Sequence, residues 1–158
     1  MEKKKTSAKQ QGHLEIKRVY LKDASFESLH APDSLEAEWH PHIDINLQSS
    51  SQKLRETLYE VVLHITIAAR QDEKRIFLVE IEQGGTFVIS GFSDKKLESV
   101  LQAYCPNILF PFVRETIANL VSKGGFPQLL LGPVNFEAVY RQKQQALQVE
   151  PQEIGKPH

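Results

Sequence analysis

Thr57–Ile89 reads TLYEVVLHITIAARQDEKRIFLVEIEQGGTFVI. Tyr59, Val61, Leu63, Ile65 and Ile67 fall on one parity. After a polar turn at Gln71–Glu73, Phe77, Val79 and Ile81 do the same in a second run. A period of two places successive side chains on opposite faces of an extended chain, so the stretch predicts two strands joined by a tight turn. Gly84-Gly85 interrupts the second run as a bulge or bend, and Thr86–Ile89 resumes it. Working outward, Ile43-Asp44-Ile45-Asn46-Leu47 alternates in the same way. In Leu14–Phe26, Leu14 and Ile16 hold one parity and Val19 and Leu21 the other; a bulge near Lys17–Arg18 would restore a single apolar face. Ser28–His42, with Pro32, Pro41 and the lone Trp39, is an irregular connection of a length that is uncommon unless functional.

Beyond Ser93 the period lengthens. Leu97, Val100, Leu101 and Tyr104 sit at helical spacing, with Asp94 as the expected cap. Phe110, Val113, Ile117, Leu120 and Val121 extend the stripe, Pro106 and Pro111 are expected to kink or restart it, and Gly124-Gly125 ends it. A turn-rich connector, GFPQLLLGPVNF, precedes a last, shorter helix from Phe136 to Leu147. Strands first and helices after predict an α+β fold with an antiparallel sheet and helices on one side.

The chain has 158 residues, 41% hydrophobic and 25% charged, which suits one globular domain with a real core. No apolar run approaches the ~20 residues of a membrane-spanning helix. The start, MEKKKTSAKQQGH, has no apolar stretch behind its lysines and does not read as a secretory signal. A cytoplasmic protein without membrane insertion is the expectation. Residues 1–13 are expected to form a flexible basic arm, 14–148 the domain and 149–158 a flexible tail. Net charge is −1, and residues 14–148 hold 17 acids against 14 bases. That balance argues against a general nucleic-acid binder.

Little in the sequence points to catalysis. His40, His42 and Asp44 could align on an extended segment as an open metal site. The plainer reading makes them the wet face of a strand that buries Ile43 and Ile45, and Pro41 weakens the geometry a metal needs. Cys105 is the single cysteine, which excludes an intrachain disulfide; its apolar helical setting suits a buried thiol better than a nucleophile. Neither Gly-Gly pair sits in a phosphate-loop frame, and there is no CxxC, HExxH or GxSxG. No enzyme activity, metal or cofactor is therefore expected.

Several strands carry apolar residues on both faces, as at Leu58 and Val62 opposite Tyr59 and Val61, or Ile76 and Leu78 opposite Phe77–Ile81. Either a second copy or the 28–42 connection would cover the surplus. Phe26, Leu29, Leu35 and Trp39 flank the Ile43–Leu47 strand and could form a groove or simply core.

Four blocks carry a family resemblance: EIKRVYLKDASFE (Glu15–Glu27), LYEVVLHITIAA (Leu58–Ala69), EIEQGGTFVISG (Glu80–Gly91), and the long run AYCPNILFP…FPQLLLGPVNFEAVY (Ala103–Tyr140). Over Leu14–Leu147 the chain resembles SecB, the bacterial protein-export chaperone family. The resemblance implies a four-stranded antiparallel Greek-key sheet with two helices, one long and kinked, and a crossover loop at 28–42. It implies a homotetramer, a dimer of dimers with the long helix between paired sheets. It further implies an ATP-independent chaperone that keeps unfolded precursor proteins competent for export and delivers them to the motor SecA; the alternative is a SecB-like chaperone serving a toxin–antitoxin system. By resemblance, Asp23, Glu27, Leu78 and Glu80 contact SecA. Trp39, Ile43, Ile45, Leu47, Val139 and Tyr140 are chosen as client-binding residues, and Val79, Ile81 and Gln83 match the assembly-sensitive strand face. Family members often carry cysteine where Val79 stands, and the tail here is less acidic than is usual for the family. The lysine-rich arm matches no role.

Overall fold

The computed structural model describes residues 11–149, with side chains to Leu147. The rest of the expected arm and tail, residues 1–10 and 150–158, lies outside the described residues. Four strands, β1 (His13–Ser28), β2 (His42–Arg55), β3 (Leu58–Gln71) and β4 (Lys74–Ser90), form one sheet in the order β1-β4-β3-β2. Every neighbouring pair is antiparallel. Tight hairpins join β2 to β3 and β3 to β4. The segment from β1 to β2 crosses the sheet and contains a one-turn helix, α1 (Asp33–Glu36), where the sequence predicts only irregular chain.

Parity along β3 and β4 assigns the two faces. Val61, Leu63, Ile65, Ile67, Phe77, Val79, Ile81 and Phe87 are almost wholly buried on one of them. The cover is α3 (Cys105–Lys123), whose Leu109, Val113, Ile117 and Val121 complete the core. The other face, called outer below, carries half-buried or exposed Leu58, Val62, Leu78, Glu80 and Val88.

Two expectations about irregular backbone need correction. Gly84-Gly85 does not interrupt β4, which runs unbroken; the irregularities lie on its partner β1, beside Lys17 as anticipated and again beside Lys22. The glycines answer to close approach on both faces. A Cβ on Gly84 would lie 2.4 Å from the Tyr20 ring on the outer side, and one on Gly85 2.8 Å from Leu109 of α3.

The helical half is also more continuous than expected. α2 (Asp94–Ser99) passes directly through a π-helical turn, Val100–Tyr104, into α3. The amide of Cys105 donates to the carbonyl of Val100, and this wider turn receives the Pro106 ring, which would clash with the carbonyl four residues back in a regular helix. Pro111 sits inside α3 without ending it. Ser93, not Asp94, is the cap: its hydroxyl accepts from the Lys96 amide at 3.3 Å, while Asp94 lies in the first turn, where a negative charge suits the helix dipole. α4 (Phe136–Val149) is capped by Asn135, whose side-chain oxygen accepts from Ala138 N at 3.0 Å. It docks on the preceding helices through Phe136 against Phe110 and through Gln144, which donates to Glu98.

Candidate interaction surfaces

The outer face collects the residues expected to meet SecA. Glu27 lies directly opposite Leu78, Ser25 opposite Glu80, and Asp23 opposite Glu82. The bulge at Lys22 falls before Asp23, so Asp23 and Glu27 keep a common parity and point the same way as Leu78 and Glu80. Glu82 shares this face and was legible from its spacing to Glu80, yet does not figure among the expected contacts. Asp23, Glu27, Glu80 and Glu82 form no ion pair among the described residues. Like charges on directly opposed residues repel, so Asp23 and Glu82 leave a standing negative potential that a basic partner would relieve.

The middle of the same face is locked by a polar network. Tyr20 reaches over Gly84 and donates its hydroxyl to Glu60 on β3. Lys22 and Gln52 also donate to Glu60, at 3.2 and 3.1 Å. The Tyr20 hydrogen bond, followed by those from Lys22 and Gln52, holds the Glu60 carboxyl below its ordinary value. Burial, then the Glu60 hydrogen bond and charge, push Tyr20 up to about 12. The network couples β1, β3 and β2 across the strand where the glycines leave room.

The expected client residues lie on the helix-covered side, in two places. Trp39 stacks on Phe77 at 6.0 Å between ring centres and meets Phe126 in a tilted contact at 4.9 Å, with Phe26 completing an aromatic cluster. Ile43 belongs to this end, since it pairs with Ala69, which pairs with Phe77. The segment carrying Trp39 thus closes one end of the helix side and leaves the outer face to other cover. Leu47, Val139 and Tyr140 meet instead in a narrow cleft between β2 and α4, floored by Leu63 and edged by Lys143. Ile45 stands between the two places, 53% exposed.

Val79, Ile81 and Gln83 are buried within the subunit, on the side of β4 that faces α3. Gln83 is the one buried polar residue of the core among the described residues and donates to the Tyr20 carbonyl at 2.9 Å, close to the second β1 bulge. Exposed apolar residues occur elsewhere: Tyr104 and Phe112 on the helix, 55% and 44% exposed, and Ile16 and Leu21 on the edge strand β1. Tyr104, Ile16 and Leu21 fall on apolar periods that read as core, so the sequence alone conceals their exposure, whereas Phe112 lies off the stripe of Phe110, Val113 and Ile117.

The remaining candidates separate. Asp44 accepts from Arg70 at 2.7 Å and lies 3.0 Å from His42, and Arg70, then His42, keep its carboxyl below the usual range. His40 lies 3.7 Å from Glu38 instead, and no cluster of three or more metal-binding side chains occurs among the described residues. Cys105 is fully buried, and burial pushes its thiol up to about 12, far from a reactive thiolate.

Residues 7–147 match the protein family described as Preprotein translocase subunit SecB. The chain is 47% identical to the protein-export protein SecB of Nitrosococcus oceani over 141 residues, 88% of this chain and 86% of that one. It is 50% identical to the SecB of Halorhodospira halophila over 136 residues, 86% of this chain and 79% of that protein. Among solved structures it superposes on the SecB-like chaperone of Mycobacterium tuberculosis, determined in complex with a ChAD peptide from the HigA1 antitoxin. That match has a TM-score of 0.62 at 14% identity and covers 77% of this chain and 87% of the other.

Proposed function

The chain belongs to the SecB family, and from that premise we infer that it is a protein-export chaperone, which holds unfolded precursors and hands them to the export motor. The relatives near half identity are protein-export proteins, whereas the antitoxin-bound neighbour shares 14% of residues, so service to a toxin–antitoxin system is not favoured. No helix among the described residues is long and apolar enough to cross a membrane. The reading is of a cytoplasmic binding protein without enzyme activity, working without ATP.

The observation that carries the finer reading is the division of labour between the two sides of the sheet. Asp23, Glu27, Leu78 and Glu80 share one uncovered end of the outer face, a mixed acidic and apolar surface suited to a basic segment of SecA. Trp39, Ile43, Ile45, Leu47, Val139 and Tyr140 lie on the helix side, where burial of a client's apolar side chains contributes about 1.5–3 kcal/mol each before ordering costs. Long clients touching several subunits gain avidity from weak contacts. The strand order supports the Greek-key description. Exposed Tyr104 and Phe112, with Ile16 and Leu21 along the β1 edge, support assembly into a dimer of dimers. Val79, Ile81 and Gln83 would influence that assembly indirectly, by setting how α3 sits on β4.

The test is a paired measurement. Glu80→Lys is expected to weaken SecA binding while leaving client binding and oligomer mass unchanged. A matching fall in client affinity would mean that the two surfaces are not separate. Wild-type protein should also suppress refolding of a slow-folding precursor without nucleotide; no effect would overturn the chaperone reading.

A further inference from the structure

The outer face carries opposite charges at its two ends, and only the acid end has a task so far. At the far corner, where β1 begins and β2 turns into β3, Arg18 and Arg55 rim an open depression of about 630 Å³. Its floor includes Leu58 and Val88, which lie directly opposite each other and are half-buried. Neither arginine forms an ion pair among the described residues, whereas neighbouring Lys17 is held by Glu15 at 3.0 Å. Lys17 and Glu56 also line the depression, so its lining holds three cations against one acid, in a body that is otherwise mildly acidic.

We propose that this arginine-rimmed corner is a second docking site for the partner that the acid end receives, taking a short acidic segment of it that carries a bulky apolar side chain. The inference rests on the outer-face reading above. Guanidinium groups pair carboxylates in a forked geometry, and the Leu58–Val88 floor offers an apolar seat between them. A nucleic acid has phosphates for the arginines but no use for that floor, and the acidic body would repel a long polyanion. Thr86 at the corner and Glu80 in the acid patch are six residues apart on β4, about 20 Å. One partner can therefore span both. Two sites of opposite sign also fix its direction, because the reversed pose sets like charges together.

The experiment compares wild-type full chain, Arg18→Glu/Arg55→Glu and Glu80→Lys. The readouts are SecA affinity at low and physiological salt, and binding of a fluorescent synthetic peptide, Glu-Asp-Leu-Glu-Glu-Phe. Thermal midpoint and scattering mass serve as controls on folding. The arginine variant is expected to lose about tenfold in SecA affinity at low salt and to lose the peptide. Glu80→Lys is expected to weaken SecA yet retain the peptide. If Glu80→Lys weakens SecA while the arginine variant binds it as wild type does, the second site falls and the acid-end reading stands. If Glu80→Lys leaves SecA binding intact, the acid-end reading fails, and with it the claim of one shared partner. Equal peptide binding by the arginine variant overturns the proposal. So does preferential, arginine-dependent capture of a single-stranded RNA oligonucleotide, which would make the corner a nucleic-acid site.

Discussion

Tyr20 and Gly84 act as one unit, and neither was legible as such in the sequence. A glycine pair inside a strand usually marks a bulge, and here it marks the place where an aromatic ring crosses a strand to reach a carboxylate. Gly84→Ala is expected to cost about 1–3 kcal/mol, measured by urea unfolding, because the ring must leave Glu60. The same substitution should cost less in a Tyr20→Ala background, where the obstacle is gone. Tyr20 also makes a pH prediction. Its raised value means that its contribution to stability is present below pH 10 and lost as pH climbs through about 12. Glu60 is depressed, so its contribution is present above its ordinary 4.5 and lost as pH falls through the folded value. Site-resolved NMR titration should show Glu60→Gln bringing Tyr20 only part of the way back toward 10.0, since burial is the larger cause.

At the scale of elements, β3, β4 and the first bulge of β1 could be read directly, because one buried face imposes a strict period. The second half of β2, Gln48–Arg55, could not. Apart from exposed Leu54 it is polar on both parities, and it is held by pairing with β3, which leaves no periodic trace. The second bulge was present as a switch in parity from Val19 and Leu21 to Ala24 and Phe26. The β3–β4 hairpin turns on Asp72 and Glu73 with φ of 51° and 62°, a left-handed backbone that favours Asn-Gly. Asp72→Asn with Glu73→Gly should raise stability by about 1 kcal/mol, read as a higher thermal midpoint. An unchanged midpoint would mean that the turn carries no strain.

For the whole molecule, the two-faced apolar pattern pointed to partners, but not to which residues meet them. Exposure depends on where α3 lies, and a helical stripe looks alike whether one side or both are covered. Tyr104→Glu/Phe112→Glu is expected to reduce the scattering mass below that of wild type while far-UV circular dichroism stays constant. Retained mass would place self-association on other residues. The charge division of the outer face was equally hidden, since Arg18 and Arg55 come together only through the β2–β3 turn.

Trp39 gives this architecture its own optical reporter. It is the chain's sole tryptophan, wedged among Phe77 and Phe126 at one mouth of the helix side. Cargo that pries the indole away should shift its emission colour, whereas a motor landing beyond the sheet should leave that colour untouched. Unlabelled protein would then reveal, by light alone, which of its two sides is taken at each moment of a handover.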